Sequence, residues 1–327
     1  MKVLINGFGR IGRAIFRLLI NCKDIECVGI NEPFASTYNM AYLLRYDSLY
    51  GTLKEELRLD KDNLILSVDK SNRIIPCYHA QKISELARLI DDEDVIIVDA
   101  TGQSDNIPLY SLCCNNKIIV TSTSYFNDNE KIFGYNKPLK DKKIIYGSIC
   151  DSVAVVPVLG ALNKYFEFNS VLITTMHPAL NYQKVLDSYM SSQDISLGRQ
   201  YIDSLIPKRT SLEKVVKALF KASGGIRCLS YRTPTESVCS ADISIYFNDR
   251  ITYPQVMQAL HDESISKWVT FSEDEKVSID FKGNLSSCIV DLRWTELINP
   301  NLLKIVIWYD NEYGYSARII DLIRDIG

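Results

Sequence analysis

Features that mark membrane, secreted or zinc-binding proteins are scarce in this sequence. No apolar run approaches the roughly 20 residues that span a bilayer, and the first residues enter an apolar segment without the basic region that opens a signal peptide. No Cys-x-x-Cys pair occurs and only three histidines are present, so we expect no metal site. These absences predict a cytoplasmic protein with no membrane partner.

The net charge and the cysteine content further restrict the class of protein. A net charge of −3 and a pI near 5.8 give no reason to expect nucleic-acid binding. The nine cysteines are an odd number scattered through mostly apolar settings, which is typical of reduced intracellular thiols rather than of a disulfide framework. The length of 327 residues predicts two domains, each able to bury a core.

Three glycines near the N-terminus form the pattern G-x-G-x-x-G. Gly7 permits a tight turn, Gly9 lets backbone N–H groups approach a pyrophosphate, and Gly12 lets helix and strand pack closely. The glycines lie between an apolar strand at residues 3–5 and helical apolar spacing at residues 13–20. The segment therefore predicts a dinucleotide site in which a helix N-terminus faces the phosphates.

Glu32 adds a preference between the two nicotinamide dinucleotides. It follows a second apolar run, residues 25–30, and lies 20 positions after Gly12. A carboxylate at this distance can accept hydrogen bonds from both hydroxyls of the adenine ribose. It would repel a 2′-phosphate, so the sequence predicts NAD as the cofactor rather than NADP.

The first half of the chain alternates apolar runs of strand length with helical segments. This pattern is typical of a mostly parallel, doubly wound sheet. A hairpin is expected after the first βαβ unit, at residues 64–68 and 74–77. The other predicted elements are a helix at 83–90 and strands at 95–98, 118–120 and 144–146.

After Cys150 the runs lengthen and most alternate with period two, which favours an antiparallel sheet with one covered face. The strands are predicted at 170–175, 228–232, 237–247, 277–280, 287–291 and 303–309. The helices are predicted at 153–165, 212–221, 253–259 and 316–326. A polar stretch between His177 and Thr210 is predicted to be a functional loop.

Cys150 and His177 are the candidate nucleophile and base. Cys150 lies where an apolar strand ends and a long helix begins, and a helix N-terminus stabilises a thiolate. His177 ends a neighbouring strand, so both side chains can project into one cleft. Taken singly, each residue also fits a structural role: a cysteine between Ile149 and Val153 fits buried packing, and a histidine at a strand end fits a satisfied structural group.

Seven ordered segments carry a more specific pattern. They are Ile-Asn-Gly-Phe-Gly-Arg-Ile-Gly-Arg at 5–13, Ile-Asn-Glu-Pro at 30–33, Tyr-Asp-Ser at 46–48, Thr-Gly at 101–102, Thr-Thr-Met-His at 174–177, Tyr-Arg-Thr-Pro-Thr at 231–235 and Trp-Tyr-Asp-Asn-Glu-Tyr-Gly-Tyr-Ser at 308–316. Through them the chain resembles the glyceraldehyde-3-phosphate dehydrogenase family over nearly its whole length. The last segment is the most specific single match.

The resemblance implies an α/β fold in two domains. Residues 1–148 would form an NAD-binding Rossmann domain with a doubly wound parallel sheet, and residues 149–315 an α+β catalytic domain with a mostly antiparallel sheet. The C-terminal helix at 316–327 would pack back on the first domain. The polar stretch 181–204 resembles the family's S-shaped loop, which reaches a neighbouring subunit's cofactor site, and this implies a homotetramer.

The resemblance also implies an activity and a set of site residues. Cys150 would attack a phosphorylated aldehyde, with glyceraldehyde 3-phosphate of glucose metabolism and glycolysis as the first candidate, and form a thiohemiacetal and then a thioester. His177 would lower the thiol pKa and accept the hydroxyl proton. The implied substrate-binding residues are Arg199, Thr210 and Arg232. The implied NAD-binding residues are Asn6, Gly7, Phe8, Gly9, Arg10, Ile11, Gly12, Asn31, Glu32, Thr101, Gly102, Thr121, Asn311 and Tyr315.

The chain departs from the family around phosphate binding. The family's Ser-Cys-Thr-Thr-Asn is here Ile-Cys-Asp-Ser-Val at 149–153, and Leu180 replaces a threonine three positions after the histidine. Asp151 is expected to raise the pKa of Cys150 and to repel phosphate. Arg209 places a new cation in the phosphate loop. We therefore consider an ion pair between Asp151 and Arg209, with two independent surface charges as the alternative.

Two other functions fit parts of this pattern. One is the related erythrose-4-phosphate dehydrogenase activity, in which water releases the acyl-enzyme, and which suits the weakened phosphate pocket. The other is a catalytically silent paralogue that binds NAD. Retention of Cys150, His177, Arg232 and Asn311 together argues against the silent paralogue. If Cys150 is the nucleophile, iodoacetamide is expected to label it before the other eight thiols.

Overall fold

The computed structural model describes residues 1–69, 71–90, 92–125, 129–136, 141–190 and 194–327. Within it the chain divides into two compact units. The first unit contains Met1–Lys131, Lys137–Gly147 and Ser316–Gly327, and the second contains Ile132–Asn136 and Ser148–Tyr315.

The first unit begins with alternating strands and helices. Its strands are β1 (Lys2–Asn6), β2 (Glu26–Asn31), β3 (Glu56–Asp60), β4 (Asn63–Val68), β5 (Ser71–Tyr78), β6 (Val95–Asp99), β7 (Ile118–Val120) and β8 (Ile144–Tyr146). Its helices before residue 148 are α1 (Arg10–Leu19), α2 (Thr37–Arg45), α3 (Ile83–Leu89) and α4 (Asn106–Cys113).

These strands form one twisted sheet in the order β3-β4-β5-β2-β1-β6-β7-β8. From β5 to β8 all neighbours are parallel, in the order that is typical of dinucleotide-binding sheets. The hairpin predicted at 64–68 and 74–77 is present as β4 and β5, and the unpredicted β3 extends it by one antiparallel strand. The predicted doubly wound parallel sheet is therefore confirmed.

The second unit contains longer strands. They are β9 (Phe168–His177), β10 (Ile206–Lys208), β11 (Ala222–Arg232), β12 (Cys239–Phe247), β13 (Val269–Ser272), β14 (Cys288–Asn299) and β15 (Leu302–Tyr309). Its helices are α5 (Cys150–Asn163), α6 (Leu212–Leu219) and α7 (Tyr253–Leu260), and α8 (Tyr313–Ile326) begins in this unit.

The second sheet has the order β10-β11-β9-β12-β15-β14-β13. Four of its six pairings are antiparallel, while β11 with β9 and β14 with β13 are parallel. The predicted mostly antiparallel sheet is confirmed. The parallel pair of β9 and β11 matters most for function, because parallel neighbours bring their carboxyl ends to the same edge of a sheet.

Helix α5 begins earlier and is more buried than the sequence predicted. The predicted start was residue 153, but the first helical residue is Cys150. All residues from Asp151 to Leu162 are buried, so the helix has no solvent-exposed stripe along most of its length. A helix buried on all sides needs an apolar surface all round, which the run of valine, leucine and alanine supplies.

The strand predicted at 277–280 is wrong, because a 3₁₀ helix, Ser278–Phe281, occupies this place. The Asp280 carboxylate accepts a hydrogen bond from the Val277 N–H at 2.8 Å, and the Asp280 N–H donates to the Val277 carbonyl at 3.0 Å. Such local bonds give the backbone an alternative to a sheet ladder. The nearby strand β13, which was not predicted, pairs with β14 instead.

The polar stretch that follows β9 has little regular structure. It contains a short 3₁₀ helix, Ile195–Gly198, and ends in the three-residue strand β10. Residues 191–193 of the predicted loop lie outside the described residues.

The C-terminal residues group with the first unit. The Arg324 guanidinium forms an ion pair with Asp24 at 2.7 Å, and the Lys117 ammonium donates to the Ile326 carbonyl at 2.5 Å. Across the described ranges, no helix combines the length and apolar character that crossing a bilayer requires.

Candidate active site

The register of the second sheet brings chemically active side chains to one edge. His177, the last residue of β9, pairs with Arg232, the last residue of the parallel strand β11. Cys239 begins β12 and pairs with Tyr309, which ends β15. Both of those strands reach the edge at which β9 and β11 end, so the strand order alone assembles four polar or ionisable groups there.

Cys150 and His177 form a close pair at the start of α5. The Cys150 Sγ lies 3.7 Å from His177 Nε2. The other ring nitrogen, Nδ1, lies 2.8 Å from the Pro178 carbonyl oxygen, which can only accept a hydrogen bond. This contact assigns the ring hydrogen to Nδ1 and leaves Nε2 free to accept a proton from the thiol.

The electrostatics of the pair favour its neutral form. Burial raises the pKa of the Cys150 thiol well above its usual value, and the Asp151 charge raises it further, while Arg232 opposes both effects. Burial lowers the pKa of His177 to about 4, and the Arg232 charge acts in the same direction. At neutral pH the resting pair is therefore a thiol beside an uncharged imidazole.

Asp151 is a buried carboxylate that lies directly against this pair, with 5% of its surface exposed. The Tyr309 hydroxyl donates to Asp151 Oδ1 at 2.9 Å, and the Thr210 hydroxyl lies 3.5 Å from Oδ2. The Cys150 Sγ lies 3.5 Å from Oδ1. The thiol thus has two acceptors within reach, one on the imidazole and one on this carboxylate.

The ion pair considered between Asp151 and Arg209 is wrong, and so is the alternative of two surface charges, because Asp151 is buried. Arg209 is exposed, and across the described ranges no ion pair joins its guanidinium to the buried carboxylate. The carboxylate is instead held by hydroxyl groups. A neutral hydroxyl can satisfy a buried carboxylate at a lower desolvation cost than a guanidinium drawn from water.

Arg232 is a buried cation beside the pair, with 6% of its surface exposed. Its Nη2 donates to the Tyr182 hydroxyl at 3.3 Å, and among the described residues its Nε has no hydrogen-bond partner. Burial would raise the pKa of Tyr182, but Arg232 and Lys208 outweigh it and lower that pKa. An anion at this place would meet a largely desolvated positive charge.

The structure does not bring Arg199 to this group. Its guanidinium is exposed and forms an ion pair with Asp187, in which Nε lies 2.9 Å from a carboxylate oxygen. Both side chains are more than half exposed, so the pair is a surface contact of little energetic weight.

The dinucleotide loop of the first unit has the backbone geometry that its glycines predicted. Gly7 has φ of +94°, and a Cβ atom there would lie 2.8 Å from the backbone of Ala100 and Thr101. A Cβ atom on Gly12 would lie 2.1 Å from the Gly7 carbonyl oxygen. Gly9 instead faces open space, with no atom within 4 Å of the Cβ position. The loop therefore fits a phosphate group that approaches the backbone at Gly9.

A cleft runs from this loop along the carboxyl ends of the parallel strands. Its lining residues are Asn6, Gly7, Gly9, Asn31, Glu32, Pro33, Phe34, Ala80, Gln81, Lys82, Ile83, Ala100, Thr101, Gln103 and Asn106. Glu32 is fixed at its rim, since its two carboxylate oxygens accept from the Phe8 N–H at 2.9 Å and the Phe34 N–H at 3.1 Å. A crevice at this edge of a doubly wound sheet is where such folds bind dinucleotides.

Two of the predicted cofactor residues are engaged inside the protein by their side chains. The Asn31 amide donates to Asn6 Oδ1 at 2.8 Å, and the Asn6 amide donates to the Tyr110 hydroxyl at 2.6 Å. The Tyr110 hydroxyl in turn donates to Asp99 at 2.6 Å. Asn6 and Asn31 therefore brace neighbouring strand ends and offer mainly their backbone to a ligand.

The other predicted cofactor residues lie in several settings. The Arg10 guanidinium pairs with Asp47 at 2.7 Å, and the Thr101 hydroxyl donates to Asp99 at 2.6 Å. In the second unit, Asn311 is 7% exposed and its Oδ1 has no hydrogen-bond partner among the described residues. A buried oxygen without a donor fits a ligand that carries an N–H group.

Side-chain atoms of Cys150, His177 and Asp151 could together hold a metal ion. One ligand atom each from Cys150, Asp151 and His177 lie within 4.8 Å of one another. Thiolate, imidazole and carboxylate are the ligand types that zinc accepts. The sequence did not predict this grouping, because its metal signals are local and these residues converge through the fold.

Sequence reasoning missed two phenols at this edge. Tyr309 follows Leu303, Ile305 and Ile307 on the buried side of β15, so a hydroxyl at the end of that run needs a buried partner. This was the available signal. Tyr182 lies in the polar stretch, and no local pattern distinguishes it from its neighbours.

Two protein-family models each match one segment of the chain. The family described as the NAD binding domain of glyceraldehyde 3-phosphate dehydrogenase matches residues 1–107. The family described as the C-terminal domain of glyceraldehyde 3-phosphate dehydrogenase matches residues 149–311. Together the matches cover well over half of the chain.

Several known dehydrogenases are similar to the chain over nearly its full length. The chain is 31% identical over 332 residues to the glyceraldehyde-3-phosphate dehydrogenase of Buchnera aphidicola, covering 99% of this chain and 98% of that protein. It is 32% identical over 338 residues to glyceraldehyde-3-phosphate dehydrogenase 1 of Saccharomyces cerevisiae, covering 99% and 98%. It is 32% identical over 342 residues to the cytosolic enzyme of Pisum sativum, covering 100% and 98%.

Proposed function

We propose that this chain, which belongs to the glyceraldehyde 3-phosphate dehydrogenase family of NAD-dependent aldehyde dehydrogenases, oxidises a phosphorylated aldehyde, with glyceraldehyde 3-phosphate as the first candidate. One observation carries the proposal. The Cys150 thiol at the start of α5 lies 3.7 Å from an imidazole nitrogen that is free to accept its proton. A buried arginine at the same sheet edge can hold the substrate's phosphate.

The reaction begins with the neutral pair. As the aldehyde carbon approaches, the thiol proton passes to His177 Nε2 and Sγ bonds to the carbon. The proton then returns to the new oxygen, which gives a thiohemiacetal on Cys150. In the oxidation, His177 removes the hydroxyl proton and the carbon becomes a thioester. NAD, when bound, supplies the hydride acceptor for this step.

In this proposal the first unit binds the pyrophosphate and adenine ribose of NAD. The backbone around Gly9 receives the pyrophosphate and Glu32 receives the adenine ribose. Asn311 offers its buried oxygen to the nicotinamide carboxamide. The remaining proposed contacts come from Asn6, Gly7, Phe8, Arg10, Ile11, Gly12, Asn31, Thr101, Gly102, Thr121 and Tyr315.

The substrate phosphate is proposed to bind Arg232. The unpartnered Nε of this arginine supports the assignment, and Tyr182 adds a hydroxyl that the positive charges polarise. Thr210 lies against Asp151 rather than on open space, so its predicted role in holding an anion has little support. Arg199 would need to leave Asp187 before it could contribute.

We further propose that the protein is a homotetramer and that it acts in glycolysis in the cytoplasm. Exposed apolar side chains support the oligomer. The polar stretch exposes Val185, Leu186, Tyr189, Ile195, Ile202 and Leu205. The uncovered face of the second sheet exposes Leu172, Met176, Leu229 and Tyr246. Apolar side chains clustered at a surface mark interaction sites.

The decisive experiment is NAD reduction with glyceraldehyde 3-phosphate by the purified protein. Activity is expected with the wild type and is expected to vanish in Cys150→Ser, while Cys113→Ser, a matched change at an exposed thiol, retains it. Erythrose 4-phosphate is the second substrate to test, because the buried Asp151 carboxylate disfavours a phosphate acceptor. No turnover of either aldehyde, with NAD still bound, would instead support a silent NAD-binding paralogue.

A further inference from the structure

A buried carboxylate beside the nucleophile has no part in the oxidation described above. Asp151 Oδ1 lies 3.5 Å from Cys150 Sγ, and its carboxylate is oriented by the Tyr309 hydroxyl at 2.9 Å. Burying a carboxylate is costly unless hydrogen bonds stabilise it, so its place here calls for a chemical explanation.

The same carboxylate makes this place unsuitable for inorganic phosphate. A phosphate anion attacking an acyl group on Cys150 would approach within a few ångströms of a buried negative charge, where like charges repel strongly. The Thr210 hydroxyl, which could otherwise bind an anion, lies 3.5 Å from Asp151 Oδ2. Water carries no charge and can donate a hydrogen bond to the carboxylate, so water is the acceptor that the site favours.

We propose that Asp151 is a general base that directs water onto the thioester at Cys150, so that the enzyme releases a free carboxylic acid rather than an acyl phosphate. This inference rests on the proposed function, because the oxidation must first deliver a thioester.

The step balances without a further reactant. Water loses one proton to an Asp151 oxygen while its own oxygen bonds to the acyl carbon. The carbon–sulfur bond then breaks, and the proton on Asp151 passes to Cys150 Sγ across the 3.5 Å contact. One thioester and one water give one carboxylic acid and one thiol, and no electron is gained or lost. A thiol is a better leaving group than a thiolate, so a proton delivered to Sγ across this contact lowers the barrier.

His177 is less suited than Asp151 to act as the general base when water attacks the thioester. The oxidation transfers the hydroxyl proton to Nε2, so the imidazole is protonated when the thioester forms. Its remaining nitrogen, Nδ1, is already bonded to the Pro178 carbonyl. Asp151 accepts no proton in the oxidation described above, and it is therefore the base that is free when water attacks.

The test separates deacylation from oxidation. p-Nitrophenyl acetate acylates Cys150 without NAD or aldehyde, and mass spectrometry follows loss of the acetyl group with and without phosphate. In the wild type the loss is expected to be independent of phosphate. In Asp151→Asn it is expected to slow by about 100-fold, a typical contribution of a general base. Asp242→Asn, a carboxylate paired with Lys304 in the same sheet, is the matched control and is expected to leave the rate unchanged.

A second pair of variants guards against misfolding. Tyr309→Phe keeps the carboxylate but removes its 2.9 Å donor, and it is expected to slow deacylation less than Asp151→Asn while leaving acylation intact. Asp151→Thr is expected to make deacylation respond to phosphate. A wild-type rate that climbs with phosphate, or a folded Asp151→Asn that deacylates at the wild-type rate, would overturn the inference.

The product assay distinguishes this inference from the proposed function. With aldehyde, NAD and ¹⁸O-labelled water, the expected product is an acid that carries one labelled oxygen, even when phosphate is present. NADH formation with an acyl phosphate as the product would refute the inference and leave the oxidation standing. Absence of NADH with every aldehyde, together with Asp151-dependent deacylation of the acetyl-enzyme, would refute the proposed function alone.

Discussion

Replacement of Glu32 should change which dinucleotide the protein prefers. If the 2′-phosphate of NADP replaces the hydroxyl that Glu32 accepts, its charge lies roughly 4 Å from the carboxylate. Two unit charges at that separation repel by about 1 kcal/mol in water and about 4 kcal/mol in a protein-like dielectric. Glu32 is half-buried, so we expect a penalty of about 2–4 kcal/mol, or roughly 30- to 1,000-fold weaker binding of NADP than of NAD.

Glu32→Gln removes the charge but keeps one acceptor. The carboxylate now accepts from both the Phe8 and the Phe34 N–H groups, and a glutamine amide can serve only one of them. A glutamine oxygen can likewise accept from only one ribose hydroxyl, and a lost bond of about 1 kcal/mol should lower NAD affinity several-fold, while loss of the charge raises NADP affinity. Isothermal titration calorimetry at low salt measures both, because salt screens the repulsion.

The matched control is Glu26→Gln, an exposed carboxylate at the start of the same strand β2. It should leave both affinities unchanged. Equal binding of NAD and NADP by the wild type, or an unaltered ratio in Glu32→Gln, would refute the assignment of Glu32 to the adenine ribose.

Three further perturbations test the second unit and one tests assembly. Iodoacetamide is expected to label the exposed Cys113 before Cys150, contrary to the expectation from sequence, because burial and Asp151 raise the pKa of Cys150. Asp151→Asn should speed labelling of Cys150, as measured by peptide-resolved mass spectrometry. A wild-type Cys150 that reacts first would contradict this. Added Zn²⁺ should inhibit aldehyde oxidation reversibly by binding Cys150, Asp151 and His177. Asp151→Asn should raise the half-inhibitory Zn²⁺ concentration, and equal sensitivity of this variant and the wild type would place the ion elsewhere. Arg232→Ala should lower kcat/KM for the phosphorylated aldehyde by about 10- to 100-fold more than kcat/KM for glyceraldehyde, since a charge-assisted bond is worth about 1.5–3 kcal/mol. Light scattering at micromolar concentration should give a tetramer mass, and a monomer mass would refute the oligomer.

Local sequence patterns predicted the structural features that depend on residues close together in the chain. The steric role of Gly12 follows from its close approach to the nearby Gly7 carbonyl oxygen, and the sequence pattern captured it. The presence of a long helix after Cys150 was likewise visible as a change from strand to helix pattern, although its first turn was missed. Periodicity failed at 277–280, because Asp280 closes a turn that no alternation pattern encodes.

Long-range partners could not be read from the chain. The sequence marked Asp151 as unusual and offered Arg209, a new cation in the phosphate loop, as one candidate partner. Its actual donor, Tyr309, lies 158 positions away and reaches it through the register of β12 and β15. Arg199 shows the converse case, since a match in spacing placed it at the site and the fold pairs it with Asp187 on the surface.

The return of residues 316–327 to the first unit has a consequence for biosynthesis. A ribosome makes the eight-stranded sheet early, but the buried Ile319, Ile323 and Ile326 that complete this unit are made after the whole second unit. The second unit, by contrast, is nearly continuous in sequence. We therefore expect it to reach its native state first during translation, while the dinucleotide unit matures only after residues 316–327 have emerged. Fragments that stop near residue 147 should accordingly depend on chaperones, because they expose the apolar surface that α8 covers.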